Sequence, residues 1–185
     1  MPYNTRTINP TDSLKCIQIN LNHSIAATAE INRRSSKDLF HIGLIQEPYI
    51  INNEIKGLNT HNNKVIYNTY STKPRAAIVL DKNIKCLPIT ELTNDDCVTV
   101  SIQPFKTSKE EMILASIYMP GDGQIINNNI VNLLEYCKNK HLIIGSDVNA
   151  HHTIWHSTDI NERGESLLEL LITYNMTIIN NSSKP

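Results

Sequence analysis

Four short apolar runs constrain this chain more than any other feature. They are AAIVLD at 76–81, CVTVSI at 97–102, MILASIY at 112–118 and HLIIGSD at 141–147. Each is shorter than a typical buried helix and rich in branched residues, so each predicts a strand that a sheet must pair and cover. LKCIQIN at 14–20, LFHIGLIQ at 39–46, KVIYN at 64–68 and MTIIN at 176–180 extend the series. Pro48 ends the second of these, because proline cannot continue a central ladder. Lys73-Pro74-Arg75 reads as a connector, and Met119-Pro120-Gly121-Asp122-Gly123 as a turn.

Helical patterns lie between the runs. Ser24 is placed to cap a helix over HSIAATAEINRR. IINNNIVNLLEYCKN puts Ile126, Ile130, Leu133, Leu134 and Cys137 on one face. After Arg163-Gly164, ESLLELLITYN predicts a helix with Leu167, Leu168, Leu171 and Ile172 inward. Two hairpin-like strand pairs interrupt the alternation. A purely parallel sheet does not fit that order. The expectation is α/β (α+β): a layered sandwich of two mixed sheets flanked by helices.

A 185-residue chain with 40% hydrophobic and 19% charged residues suits one globular domain, expected over 14–185 after a polar lead-in at 1–13. The net charge of −1 argues against a protein that only grips nucleic acid through many phosphates. An enzyme engaging phosphate through a metal has no need of a basic surface. The four cysteines form no C-x-x-C pair, so Cys16 and Cys97 are expected as buried free thiols in a reducing, intracellular compartment. The start, MPYNTRTINPTDS, lacks the apolar core of a secretory leader. No apolar run approaches the ~20 residues of a membrane helix, so no membrane partner is expected.

Chemistry is concentrated at strand ends. Asn20, Glu47, Tyr118, and Asp147 with Asn149 each follow an apolar run, where a rigid sheet can aim them into one crevice. Taken singly, Asn20 ends a strand, Glu47 is a solvated strand end, Tyr118 packs as an aromatic, and Asp147 makes an Asx turn. Taken together, Glu47 and Asp147 supply hard oxygens suited to Mg²⁺, which keeps several waters and takes one or two carboxylates. Such a metal serves phosphodiester hydrolysis. GSDVNAHHTIW also admits zinc through Asp147, His151, His152 and His156. Adjacent His151 and His152 point apart in most backbones, however. Hydrogen bonding within the loop, with Trp155 packed on the core, is the simpler role for the histidines. Arg33, Arg34, Lys37, Lys73 and Arg75 read either as phosphate contacts or as solvated faces.

QINLNHS at 18–24, LIQEPY at 44–49, RAAIVL at 75–80, SIYMP at 116–120 and IIGSDVNAHHTIWHSTDINERGESLLELL at 143–171 occur in an order that resembles one family. It is the endonuclease domain of arthropod-type non-LTR retrotransposons, within the apurinic-endonuclease-like endonuclease/exonuclease/phosphatase superfamily. D-x-N-A-H-H-x-x-W followed by N-x-R-G carries most of the specificity. The resemblance implies a four-layer sandwich of two mixed sheets with helices outside. It implies that Glu47 binds Mg²⁺ (Mn²⁺ as the alternative), with Asn20 in the same network. Tyr118 would orient the scissile phosphate, Asp147 would activate water, and Asn149 would hold Asp147 and the phosphate. Asn22, His23, Arg75 and His151 are the candidate substrate contacts. The implied activity is nicking of double-stranded target DNA in the nucleus, leaving a 3′ hydroxyl that primes a fused, or lost, reverse transcriptase.

Two departures stand out. His156 replaces a glycine usual after the tryptophan. NNSSKP ends the sequence where the family pattern continues through further strands to Ser-Asp-His. The expectation is therefore a domain incomplete at its C-terminus, with its last strands missing and its activity weakened or absent. The alternatives are a non-catalytic remnant of a decayed element, or a superfamily phosphatase or phosphodiesterase. The NAHHTIWH loop favours the retrotransposon group over the latter.

Overall fold

A computed structural model describes residues 13–103, 111–122 and 125–179. The lead-in through residue 12, Gly123 of the expected turn and the segment from residue 180 onward lie outside the described residues. The chain divides into two compact units. One is Met1–Tyr118 with Asn139–Asp147, and the other is Met119–Lys138 with Val148–Pro185.

The first unit contains two four-stranded mixed sheets. One is built from β1 (Cys16–Asn20), β2 (Ile42–Gln46), β5 (Asn63–Ile66) and β6 (Ala76–Asp81), in the order β1-β2-β6-β5. The other is built from β7 (Cys86–Pro88), β8 (Cys97–Ile102), β9 (Met112–Tyr118) and β10 (His141–Asp147), in the order β10-β9-β8-β7. Each sheet has one parallel pair, β1 with β2 and β10 with β9, and is otherwise antiparallel. The mixed α/β class expected from the runs is therefore the observed one.

Period-two alternation explains the layering. Ile42, Leu44, Ala76, Ile78 and Leu80 from the first sheet bury against Val98, Val100, Ile102 and Leu114 from the second. The intervening residues Ile45, Ala77 and Val79 face the other way. They pack with Ile31 of helix α1 (Ile25–Ser36), and with Leu21 and Phe40. Ser24 caps α1, its side chain accepting from the Ala27 amide at 3.2 Å. Between the sheets lies a polar bridge. Fully buried Gln46 donates to Ser116 Oγ at 3.0 Å and to the Gly145 carbonyl at 3.1 Å, and accepts from Gln18 at 2.6 Å. Buried polar groups need such partners, so this bridge fixes which residues of β2, β9 and β10 face one another.

A small ribbon, β3 (Ile50–Ile51) with β4 (Glu54–Ile55), was not expected. Asn52 and Asn53 between them have φ of 50° and 64°, the left-handed pair that a two-residue hairpin turn requires and that asparagine tolerates. The edge strand β7 was also missed. At three residues, with Leu87 exposed, it carries no periodic signal.

The second unit holds α2 (Asn128–Tyr136) and α3 (Glu162–Thr173). Asn127 caps α2, whose Ile130, Leu133 and Leu134 are buried as the face predicts.

Four expectations are corrected. Arg163 and Gly164 do not precede the last helix; they form its first turn and are buried. Ile172 is 69% exposed rather than inward, because α3 buries a stripe centred on Leu167. Residues 176–179 have no regular structure, so the expected strand MTIIN is absent over its described part. Cys16 is exposed, since it opens β1 at the end of a ladder, whereas Cys97 is buried. All four cysteines are free thiols.

Candidate active site

Four of the residues named from sequence converge in the first unit. Asn20 ends β1, Glu47 follows β2, Tyr118 ends β9 and Asp147 ends β10. The register sets the ends level: Asn20 pairs with Gln46, and Asp147 with Tyr118. The Asn20 amide nitrogen is the hub. It donates to Glu47 Oε2 at 2.8 Å and to Asp147 Oδ2 at 2.6 Å, joining groups 27 and 127 residues away in sequence. Its oxygen accepts from the Asn22 backbone amide at 2.7 Å, which fixes the orientation of the side chain. One neutral amide thus gathers two carboxylates that would otherwise repel each other.

Backbone strain marks the same place. Glu47, Asn22 and His23 all sit at positive φ: 46°, 45° and 53°. For asparagine that is common; for glutamate it costs energy and is kept only where surroundings hold it. Here the Glu47 amide donates to the Arg75 carbonyl and the Glu47 carbonyl accepts from the His23 amide, both at 2.8 Å. The His23 ring lies 3.5 Å from Glu47 Oε1, with Nδ1 2.9 Å from the Pro48 carbonyl oxygen. His23 is therefore beside the Glu47 carboxylate, and both Asn22 and His23 are exposed.

Tyr118 is half-buried and hydrogen-bonded to Glu47. Burial, then the charge of Glu47, push its phenol above the ordinary value; Asp147 adds to this and Arg75 opposes it. Tyr118 is consequently a neutral hydrogen-bonding group at physiological pH. Arg75 is not a free surface cation. Its guanidinium forms a two-pronged pair with Asp96 at 2.5 and 2.6 Å and lies 5.6 Å from the Tyr118 ring centre.

The other named residues belong to the second unit. Asn149, at φ 47°, donates from its side chain to the Met119 carbonyl at 2.8 Å. His151 places Nδ1 2.9 Å from Asp159, which holds that carboxyl below its ordinary value. His152 accepts from the Ile154 amide and lies beside the Trp155 ring, and Trp155 donates to the Ala150 carbonyl at 2.9 Å. These histidines make the loop's internal bonds. Among the described residues no group of three or more His, Cys, Asp or Glu is placed to hold a metal, so the zinc alternative has no ligand cluster.

The N-x-R-G segment explains how that loop is held. Asn161 caps α3 by accepting from the Gly164 amide at 2.8 Å, and also accepts from the His151 amide at 3.0 Å. Buried Arg163 donates to the carbonyls of Pro120 and Val148 at 2.9 and 3.1 Å. A Cβ at Gly164 would stand 1.9 Å from the His151 carbonyl oxygen, so only glycine fits there. Sequence reasoning had missed Arg163 as the anchor of this loop and Asp96 as the partner of Arg75. Arg163 could have been found from its place in the motif; Asp96 had no signal beyond an acidic pair before a strand.

Residues 112–185 match the family model described as endonuclease-reverse transcriptase. The fold matches the endonuclease domain of TRAS1, a telomere-specific non-LTR retrotransposon, with a TM-score of 0.78 and 27% identity, over 94% of this chain and 76% of that one. The chain is thus similar to the endonuclease domains of non-LTR retrotransposons, in its fold and over residues 112–185. No curated protein gives a significant match. No helix among the described residues is long and apolar enough to cross a membrane.

Hard oxygens suit one class of ion. Glu47 and Asp147, drawn together with Asn20 beside them, match the one or two carboxylates that a hydrated Mg²⁺ accepts. Such a donor set fits the divalent metal that this endonuclease class suggests.

Proposed function

We propose that this domain is a divalent-metal-dependent endonuclease that nicks double-stranded target DNA, leaving a 3′ hydroxyl from which an associated reverse transcriptase extends. It would act in the nucleus, where that DNA lies. The observation that carries the reading is the Asn20 amide bonded to both Glu47 and Asp147, with Tyr118 hydrogen-bonded to Glu47.

Glu47, with Asn20 beside it, would hold Mg²⁺, or Mn²⁺ in its place. When bound, the ion supplies charge neutralisation at the scissile phosphate and eases attack by water. Asp147 takes the proton from the attacking water as its oxygen bonds to phosphorus. Tyr118, neutral and hydrogen-bonded to Glu47 in the free protein, would turn its hydroxyl to a phosphate oxygen when DNA binds and fix its orientation. The bond from phosphorus to O3′ breaks, and that oxygen takes up a proton from solvent water. A 3′ hydroxyl and a 5′ phosphate remain. Asn22 and His23 would line the path of the DNA.

Supercoiled-plasmid nicking by the purified chain, with Mg²⁺ and with chelator, tests this reading. Metal-dependent nicking that Glu47→Ala abolishes is expected. A cooperatively folded protein that does not nick at any divalent-ion concentration refutes it, and leaves the non-catalytic remnant as the reading.

A further inference from the structure

We propose that Arg75 and Asp96 form a clamp that positions Tyr118, so that Arg75 serves the reaction through the tyrosine rather than by contacting DNA. The inference rests on the nuclease reading above.

The geometry is a closed circuit. The Arg75 guanidinium gives Nε and Nη2 to the two oxygens of Asp96 at 2.5 and 2.6 Å. The same guanidinium covers the face of Tyr118 at 5.6 Å. The Asp96 carbonyl accepts from the Tyr118 amide at 2.8 Å, and the Arg75 carbonyl accepts from the Glu47 amide at 2.8 Å. The Tyr118 hydroxyl returns to Glu47. Thus one arginine fixes the strained backbone of Glu47 with its main chain and the ring of Tyr118 with its side chain.

The pair is also anchored. Arg75 and Ala76 both donate their amides to the Asp95 carbonyl, at 2.7 and 3.0 Å. The amides of Asp96 and Cys97 both bond the Asn94 side chain. The Arg75 side chain is 30% exposed and that of Asp96 15%. A two-pronged arginine–carboxylate pair in such a setting is directional and holds a plane, which lysine cannot do. It is also neutral overall, which makes it a poor magnet for a phosphate.

The two roles predict opposite behaviour. For a phosphate contact, Arg75→Gln weakens DNA binding and reduces the salt slope by about 1, while Asp96→Asn frees the arginine and tightens binding. For a clamp, Arg75→Gln and Asp96→Asn act alike. Both lower kcat about tenfold or more with KM and the salt slope unchanged, and the double variant is no worse than either single one. In a Tyr118→Ala background the effect of Arg75→Gln disappears. Arg75→Lys, which keeps the charge without the fork, behaves as Arg75→Gln. The ring signals of ¹³C-labelled tyrosine, assigned with Tyr118→Phe, give a readout without turnover: Arg75→Gln and Asp96→Asn shift the Tyr118 signal in the same way. An unmoved signal, a pure KM effect, or opposite effects of the two substitutions overturns the clamp. Failure of the wild-type chain to nick would refute the nuclease reading, and the ring signals would still decide the clamp.

Discussion

Asn20→Asp puts the central arrangement of the site to a quantitative test. The substitution preserves size and shape and removes the donor that holds Glu47 and Asp147 together at 2.8 and 2.6 Å. A new carboxylate about 4 Å from each of the other two would feel roughly 4 kcal/mol of repulsion from each at an effective dielectric of about 20. It escapes by keeping a proton, so its folded pKa rises far above the unfolded value of about 3.9. A group with a raised folded pKa binds protons more tightly in the native state, so stability falls as pH rises above the unfolded value. Holding the proton costs about 1.5 kcal/mol at pH 5 and about 4 kcal/mol at pH 7. Urea unfolding of wild type and variant in chelator should therefore show a gap that is small at pH 5 and larger by about 3 kcal/mol at pH 7. Millimolar Mg²⁺ should narrow the gap, because three carboxylates bind the cation better than two. A gap below about 1 kcal/mol at pH 7, or one that ignores pH, would refute the claim that these carboxylates are held in mutual contact by Asn20.

Three further outcomes follow from particular contacts. A Cβ at Gly145 would meet Leu44 at 2.6 Å and Gln18 at 2.9 Å, two residues before Asp147; Gly145→Ala should cost about 1–3 kcal/mol by thermal or urea unfolding and reduce nicking. Glu47 is at φ 46°, so in chelator Glu47→Gly should be more stable than Glu47→Ala by about 1 kcal/mol, although both lose any stabilisation by Mg²⁺; equal stabilities would deny the strain. Burial pushes the Cys97 thiol up to about 11, leaving about one thiolate in a thousand at pH 8, so mass spectrometry after iodoacetamide treatment should find it unmodified until the protein unfolds.

How the fold was legible depends on where its signal resides. Burial from both sides makes a strand read as a continuous apolar run, which is why the limits of β6, β8 and β9 could be read directly from AAIVLD, CVTVSI and MILASIY. The misses are places where sequence pattern and energetic cause part. MTIIN has strand composition, but composition does not supply a neighbour to pair with, and residues 176–179 form no ladder. Ile172 fits the helical period of α3, yet period alone does not say how wide the buried stripe is. Arg163 reads as a charged residue just before a helix, and only three-dimensional placement reveals that it lies in the first turn and bonds two carbonyls.

For the site, sequence could name the functional groups but not their connections. Asn20, Glu47, Tyr118 and Asp147 were recognisable because each closes a strand, and the register then brings those ends together. Connections depend on rotamers and on which polar group finds which, and a linear pattern holds no record of either. Arg75 is the clearest case. In sequence it is a basic residue near a strand start, and its charge suggests a phosphate. In the fold, that charge is balanced by Asp96, a residue without any motif. The circuit from Glu47 through Arg75 and Asp96 to Tyr118 then converts an apparent DNA contact into a part of the frame. The same reasoning separates the residues whose substitution should change the rate from those whose substitution should change binding. Members of the circuit share one geometry and should fail together, whereas exposed residues such as Asn22 and His23 should be individually dispensable for holding it.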